Sequence, residues 1–406
     1  MGGGSDPLLN VRAVTTFVVL DKDSTKWESL LVAAATFNGK VADALKVVGY
    51  DVQSLRIVAN PFAEFLDVSS KEAALRGMQH LQTILSGPHM PPFRIRFAVG
   101  AATTKADLAL VPFFIKHFGD LANVCINIGA DGSGVPDPDL CDAAADCVQE
   151  LARMTERGEG NFNFTVNFNC PPLIPYFPAG YNTNFESFAI GIEYPDLLVH
   201  VLNSMKQGQE EKELDWDLAF DAMLGAVQTH VNSIVRVANQ CSASLGKPFS
   251  GLDSSPAPHK DIKSLLEVFR LLGVNFGGPG TLTCSQFLTR LFKSVRGVPL
   301  IGFSGLMLAV LEDSGLAEAA IRGAYDITAL NAYSAVCGIG LDCVPVPGAV
   351  TRKQLVACMQ DTGTLAFKLD KPLTVRLFPC PGLVAGDMTE FTSPDLVNTT
   401  VFSVEC

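Results

Sequence analysis

Residues 14–20, VTTFVVL, are followed at 27–49 by WESLLVAAATFNGKVADALKVVG, and this pair decides the class of fold. The first run is rich in β-branched residues, which favour a buried strand. The second carries apolar residues at helical spacing and no proline, which predicts a helix. Further strands are predicted at 53–60, 93–100, 122–129 and 161–168, and helices at 70–87, with a cap at Ser70, 106–119 and 137–154. Strand followed by helix, repeated in this way, is typical of a parallel sheet covered by helices, open or closed.

The second half of the chain is less regular but shows no linker, charge run or internal repeat. A strand or short helix is predicted at 196–205, strands at 187–193, 341–346, 372–379, 387–391 and 401–405, and helices at 214–245, 260–273, 284–295, 326–336 and 351–368. Because nothing interrupts the pattern, we predict a single α/β domain over residues 1–406.

Composition excludes several classes of function. The chain has 406 residues, 48% of them hydrophobic, and a net charge of −12 with no basic block, so we expect no nucleic-acid partner. Apolar runs are too short for a bilayer span, which predicts a soluble protein without a membrane partner. Residues 1–14 show no signal or anchor pattern, since Asp6 stands where a myristoylation motif needs Ser or Thr.

Cysteine usage predicts a cytoplasmic location. The eleven cysteines are scattered, odd in number and without a C-x-x-C pair, which favours reduced thiols. None of the six histidines lies at ligand spacing from a cysteine, so we predict no metal site and no cofactor.

The loop KPFSGLDSSPAPHK, residues 247–260, supplies the main candidate for a site. Asp253 follows the end of a predicted strand, where side chains converge on substrates in α/β proteins. Its carboxylate could act as a general base beside Ser254, with Ser255 binding substrate. The alternative is a capped turn, with prolines fixing the path of the chain.

Other candidates come from polar residues in turns and at the ends of strands. Asn127 begins a glycine turn and Thr281 ends another, and such turns can bind anions through their N–H groups. Tyr181 and Glu186 lie in one loop, and Glu186 could form an acid/base pair with Asp253. The remaining candidates for substrate binding are Ser304, between Phe303 and Gly305, and Asn331, on a predicted helix.

Six segments, in order, resemble one family. They are CINIGADGSGV (125–135), FPAGYNTNFESFAIGIE (177–193), FSGLDSSPAPHKDIKSLLEVFRLLGV (249–274), GFSGLMLAVLEDSGL (302–316), YDITALNAYSAVCGIGLDCVPVPG (325–348) and TVRLFPCPGLVAGDMTEF (374–391). Together they are similar to the uncharacterised family called domain of unknown function 711, or UPF0210.

The resemblance implies a closed ten-stranded α/β barrel similar to that of pyruvate formate-lyase. A glycyl radical is not expected, because no Arg-Val-x-Gly-Tyr type loop follows Leu365, and SVRGVPL at 294–300 lacks the tyrosine. Shared fold does not carry shared function.

These patterns lead to one functional hypothesis and one alternative. We expect a metal-free acid/base enzyme, an isomerase or a lyase, acting on a small polar metabolite. The alternative is a protein that binds such a metabolite without turning it over. A homodimer is compatible with the apolar composition.

Overall fold

Nine strands form one sheet in the computed structural model, which describes residues 8–91, 93–207 and 213–405. The strands are β1 (Asn10–Phe17), β2 (Leu55–Val58), β3 (Ile95–Ala102), β4 (Asn123–Ile128), β5 (Phe164–Phe168), β6 (Phe188–Glu193), β7 (Phe249–Asp253), β8 (Gly340–Pro347) and β9 (Leu373–Cys380). Their order across the sheet is β7-β6-β1-β2-β3-β4-β5-β9-β8. Asp6 and Cys406 lie outside the described residues.

The directions of the strands divide the sheet into three parts. Strands β1 to β5 are parallel neighbours, which confirms the parallel sheet predicted for the first half of the chain. Strand β6 runs antiparallel to β1 and parallel to β7, while β9 runs antiparallel to β5 and parallel to β8. The carboxyl ends of β6 to β9 therefore meet the amino ends of β1 to β5 at one edge of the sheet.

Helices fill most of the connections between strands. They are α1 (Trp27–Val47), α2 (Phe62–Phe65), α3 (Lys71–Leu85), α4 (Lys105–Leu108), α5 (Val111–Phe118), α6 (Pro138–Met154), α7 (Pro195–Lys206), α8 (Trp216–Leu245), α9 (Leu265–Leu271), α10 (Thr281–Lys293), α11 (Ser314–Ile321), α12 (Ile327–Tyr333) and α13 (Arg352–Lys368), with short 3-10 helices at Ser24–Lys26, Gly119–Leu121 and Glu156–Asn163. The predicted cap at Ser70 is confirmed, since its hydroxyl accepts a hydrogen bond from the Ala73 N–H. Within the described ranges, every helix is too short or too polar to cross a bilayer.

The two faces of the sheet pack against different partners. One face packs against the helices and forms the largest apolar core. The other, which we call the inner face, carries Phe17, Val58 and Ala98, and packs against Phe177 and Ile301 from two inserted loop segments. Apolar loops thus cover the inner face where an α/β sheet would ordinarily carry more helices.

The resemblance implied a closed ten-stranded barrel, but over the described residues the sheet has nine strands and is not closed. Its edge strands β7 and β8 do not pair with each other, so the sheet of the described residues stays open. The stretch between them makes two isolated bridges only, Leu300 with Leu252 of β7 and Ala309 with Asp342 of β8.

Two predicted strands are wrong, one open choice is settled, and one predicted helix needs new limits. Among the described residues, neither 387–391 nor 401–405 joins a ladder, and the one bridge in this region pairs Met388 with Thr400, just before the second stretch, so neither is a strand. Residues 196–205 are helical within α7, which settles the choice left open by the sequence. The helix predicted at 260–273 is only α9, because Ser264 caps it late.

Candidate functional site

Asp253, the leading candidate from the sequence, ends β7 as predicted and is completely buried. Its Oδ1 accepts hydrogen bonds from the Ser255 N–H (2.9 Å), the Ser255 hydroxyl (2.7 Å) and the Ser304 N–H (3.0 Å). Its Oδ2 accepts one from the Phe303 N–H at 2.8 Å. Burial raises the pKa of Asp253, and these donors oppose that shift.

The neighbouring serines are bonded just as completely. The Ser254 hydroxyl donates to the Phe292 carbonyl (2.7 Å), and the Ser304 hydroxyl donates to the Ile301 carbonyl (2.8 Å). The Ser255 hydroxyl accepts from the Gly305 N–H at 3.0 Å. We call Asp253, Ser254, Ser255 and Ser304 the serine clasp.

The serine clasp therefore fastens β7 to the loop at 302–305. Ser304 has a φ of 42°, a strained backbone state that the hydrogen bonds around it hold in place. Since the described protein groups already supply four donors to the carboxylate, a substrate would have to displace one of them to reach it. The geometry favours the capped-turn alternative for this loop.

The other five predicted residues make no hydrogen bond to the serine clasp among the described residues. Glu186 is exposed on the loop before β6. Asn331 accepts from the Thr362 hydroxyl (3.0 Å), and the Thr281 hydroxyl donates to the Gly278 carbonyl (2.8 Å).

Asn127 lies near the carboxyl end of β4 and Tyr181 contacts the chain just after β5, so both are at the edge of the sheet opposite the serine clasp. The Tyr181 hydroxyl donates to the Cys170 carbonyl at 3.0 Å, whereas the buried Oδ1 of Asn127 has no partner among the described residues. Cys125, two residues before Asn127, has a pKa raised to about 12 by burial, as expected for a packed thiol.

Four buried or nearly buried arginines form a second polar site that the sequence reasoning missed. We define the arginine cluster as Arg12, Arg56, Arg96 and Arg376 with Glu193, Glu312, Asp342 and Cys343. Most of these residues lie on strands of the sheet, near the edge where the amino ends of β1 to β5 meet the carboxyl ends of β6 to β9. These eight residues hold four guanidiniums and three carboxylates, and a further carboxylate, Asp120, binds Arg96 from outside the set.

Arg56 and Arg96 lie side by side in the arginine cluster, and Arg56 is the one without a carboxylate partner among the described residues. They are direct partners on the neighbouring parallel strands β2 and β3, so their side chains leave the same face side by side. Arg56 donates to the Ser54 hydroxyl (2.9 Å) and the Pro175 carbonyl (3.2 Å), and has no carboxylate partner among the described residues. Burial, then Arg96 and Arg12, hold the pKa of Arg56 well below its usual range.

Arg96 is only partly neutralised. Its Nη2 donates to Asp120 at 3.3 Å, but Asp120 is also bound by Arg94. The buried Nε of Arg96 has no acceptor among the described residues. Burial lowers the pKa of Arg96, while Asp120 raises it. Arg96 thus keeps one donor without an acceptor in the described part of the chain, beside the Arg56 guanidinium, and an anion could accept a hydrogen bond there.

Arg376, in contrast, is fully paired. Its Nε and Nη2 donate to the two oxygens of Asp342 at 2.7 and 3.0 Å, and Nη2 also donates to Glu312 at 2.5 Å. Glu312, Asp342 and Cys343 offer ligand atoms within 4.8 Å of one another, a spacing that could suit a metal ion. Because the Arg376 guanidinium already binds both carboxylates, these residues fit an ion pair better than a cation.

Arg12 and His259 connect the cluster to the loop that begins at the serine clasp. Arg12 donates to Glu193 (3.4 Å) and lies 3.7 Å from Glu312. Burial raises the pKa of Glu193, and Arg12 opposes that rise. His259 is close enough to Arg12 and Glu312 for their charges to act on its pKa, which burial lowers. The loop thus runs from a structural clasp to the rim of the arginine cluster.

One signal in the sequence could have found this site. Each of the runs VRAV, LRIV, RIRF and VRLF places an arginine inside an otherwise apolar strand. A strand with both faces buried leaves no route to water for such a side chain, so it must meet an acid, a carbonyl or a ligand. Only the order of the strands shows that these arginines meet one another.

The fold and the site define a mixed α/β protein with a cluster of buried arginines on its sheet. Residues 5–394 match the model of the family described as Uncharacterised ACR (DUF711), and the chain belongs to that family.

Curated relatives carry the name UPF0210 protein. One from Pyrobaculum aerophilum is 25% identical over 402 residues, covering 93% of this chain and 87% of the relative. One from Methanospirillum hungatei is 28% identical, covering 72% and 66%, and one from Clostridium botulinum is 27% identical, covering 71% and 65%. The match to the latter two thus spans just under two thirds of their own length.

Proposed function

We propose that the protein is an acid/base enzyme, an isomerase or a lyase, and that its substrate is a small anionic metabolite held between Arg56 and Arg96. The observation that carries this proposal is the pair itself: two buried guanidiniums in register on β2 and β3, the first without a carboxylate partner among the described residues. The hydrogen bonds around the serine clasp leave no comparable free group among the described residues for a ligand, because both Asp253 oxygens already accept from protein donors.

Electrostatics supports an anion at this place. Like charges directly opposite on neighbouring strands destabilise a sheet, and burial increases their repulsion because the local dielectric is low. A carboxylate or phosphate that accepted hydrogen bonds from both side chains would remove that cost. The planar guanidinium suits such two-oxygen groups better than an ammonium does.

Aromatic rings support the same two side chains. The Arg56 guanidinium lies 5.0 Å from the centre of the Phe177 ring, and that of Arg96 lies 5.5 Å from the centre of the Phe162 ring. Cation–π contacts of this kind hold an arginine in position without neutralising its charge. The pair is therefore pre-organised for a ligand that supplies the missing negative charge.

Acid/base chemistry is the part of the proposal that rests on the carboxylates. Glu193 and Glu312 both lie beside Arg12, and burial raises the pKa of Glu193 while Arg376 and Arg12 lower that of Glu312 against the effect of burial. When two carboxyl groups at one site have different pKa values, one can act as the proton donor and the other as the proton acceptor.

The proposal is tested by melting the protein with small anions. We would measure the melting temperature with a series of mono- and dicarboxylates and phosphates, each against its neutral amide or alcohol analogue, for wild type and Arg56→Met. We expect at least one anion to raise the melting temperature of wild type. In Arg56→Met, the same rise should need a concentration of that anion about tenfold higher or more.

Arg153→Met is the matched control, because Arg153 is an exposed arginine paired with Glu150 on α6. It should respond to the anion as wild type does. If Arg56→Met keeps the full response, the proposal is wrong; if the anion binds but is never converted in a mass-spectrometric assay, the protein is the non-catalytic binder instead.

The proposal extends to the shape of the sheet and the setting of the protein. We propose that residues 300–309 act as the tenth strand of a barrel: the Ile301 N–H donates to Leu252 of β7 and the Val310 N–H to Asp342 of β8, both at 3.1 Å. A cytoplasmic location is supported by nine buried free thiols among the described residues. A homodimer rests on composition alone, and sedimentation of the 43.3 kDa chain would test it.

A further inference from the structure

Cys343 is brought to the arginine cluster by an irregularity in β8. Leu341 pairs with Val375 and Val344 with Leu377, so two residues, Asp342 and Cys343, stand opposite Arg376 alone. This is a β-bulge, and it lets two consecutive side chains reach one face of the sheet. The φ of Cys343 is 51°, a conformation that costs energy for a residue with a side chain.

The thiol delivered by the bulge is bonded to a carboxylate of the cluster. Cys343 Sγ donates to Glu312 Oε1 at 3.1 Å, and Arg376 Nη2 donates to the same oxygen. The other oxygen, Oε2, accepts no hydrogen bond from the described residues, and its cation neighbour is Arg12 Nη2 at 3.7 Å. The Glu312 side chain keeps 12% of its surface exposed.

We infer that Glu312 and Cys343 are the proton-transfer pair of the site, with Glu312 Oε2 as the base and the Cys343 thiol as the acid. This inference rests on the proposed function and adds the residues that carry out its chemistry. The resting protonation states fit these roles. Burial raises the pKa of Cys343, which keeps the thiol protonated, while Arg376 and Arg12 keep Glu312 ionised although burial opposes them.

The reaction that this pair supports is the isomerisation of a β,γ-unsaturated carboxylate, which begins at the carbon next to the carboxylate. Glu312 Oε2 takes the proton of that carbon, and the electron pair of the C–H bond moves onto the carboxylate oxygens, which Arg56 and Arg96 hold. The Cys343 thiol, which lies on the same side as Glu312, then gives its proton to the γ carbon, and the electron pair returns to form an α,β double bond in place of the β,γ one. The thiolate regains a proton from Glu312 across their hydrogen bond, which restores both groups.

Alkylation tests whether Cys343 faces the anion site. Iodoacetate is a small carboxylate, whereas iodoacetamide is its neutral analogue; in each case the thiolate sulfur bonds to carbon, iodide leaves and the thiol proton passes to solvent. We would label the native full chain with each reagent and map the modified cysteines by peptide mass spectrometry. We expect the iodoacetate-to-iodoacetamide rate ratio at Cys343 to exceed that of free cysteine by about tenfold or more.

Two variants separate the parts of this inference. Arg56→Met should abolish the preference for iodoacetate, and Arg153→Met should keep it. Glu312→Gln removes a negative charge that raises the pKa of the Cys343 thiol. Labelling of Cys343 at neutral pH should therefore be about tenfold faster for each unit by which that pKa falls. Cys343→Ser should remove the label.

The outcomes also distinguish this inference from the proposed function. If an anion raises the melting temperature but Cys343 is labelled no faster than the other buried cysteines, such as Cys147, the inference is wrong and the proposed function stands. Equal preference for the two reagents in wild type and Arg56→Met would overturn it too. If no anion binds and Cys343 is not labelled, both fail.

Discussion

The serine clasp and the arginine cluster are both buried polar sites at the same edge of the sheet, yet their hydrogen bonding is opposite. In the clasp, one carboxylate accepts four hydrogen bonds, and the three serine hydroxyls all have partners. In the cluster, Arg56 has no carboxylate partner among the described residues and Arg96 has a donor without an acceptor.

Whether a buried polar group has all its hydrogen-bond partners distinguishes a structural site from a candidate binding site better than its residue type does. A buried polar group with complete hydrogen bonding lowers the energy of one conformation and leaves no place for a ligand. A buried charge without a partner costs free energy that the fold must recover elsewhere, and a ligand of opposite charge recovers it on binding. We therefore propose that the clasp stabilises the fold and that the cluster binds a ligand.

The largest expected effect is the loss of the clasp in Asp253→Asn. The amide oxygen can replace Oδ1, but its NH₂ group would face the Phe303 N–H and leave that donor unsatisfied. We expect unfolding free energy in urea to fall by about 3 kcal/mol. Glu186→Gln, on the exposed loop, should stay within about 0.5 kcal/mol of wild type. Equal stability of Asp253→Asn and wild type would contradict the structural assignment.

A smaller loss is expected from crowding the clasp. Gly302 has a φ of 63°, and an added Cβ would overlap Asp253 Oδ2. Gly297 has a φ of 79° with open space around it, so Gly297→Ala measures the conformational strain alone. Gly302→Ala should therefore lose about 1–2 kcal/mol more than Gly297→Ala in the same urea titration. Similar losses in both variants would show that the carboxylate can move aside.

The smallest expected effect concerns His259, between the two sites. Burial, then Arg12, lower its pKa from the usual 6.5 in the folded protein. As pH falls through 6.5, the unfolded chain takes up this proton first, so the stability contributed by neutral His259 is complete above that pH and declines below it. The urea midpoint of His259→Asn should decline less between about pH 7.5 and 5.5. A steeper decline in the variant would contradict this placement.

The sequence predicted the central strands because each carries its own signal. Strands β1 to β5 hold β-branched or aromatic runs, and the first four lead into helical patterns, so local residues suffice to find them. The stretches at 387–391 and 401–405 have similar alternation, but no neighbouring strand offers them a ladder. Strand pairing depends on distant partners, which a single sequence does not show.

The sequence predicted that the residues of the serine clasp lie together, but not the arginine cluster, because the cluster also depends on strand pairing. Asp253, Ser254, Ser255 and Ser304 do meet, because a polar run after a strand must lie at the edge of the sheet. Part of their hydrogen bonding comes from backbone N–H groups of residues 303–305, and the sequence does not show where that backbone lies. The arginine pair depends on the register of β2 and β3, so Arg56 and Arg96 look like isolated charges in apolar strands.

The most direct measurement is the unfolding free energy of wild type and Arg56→Met, each with and without the stabilising anion. Without the anion we predict that Arg56→Met is at least as stable as wild type, because the substitution removes an uncompensated buried charge. With the anion, only wild type should gain. If Arg56→Met is less stable by about 3 kcal/mol without any anion and neither protein gains with it, Arg56 is a structural residue and the contrast between the two sites fails.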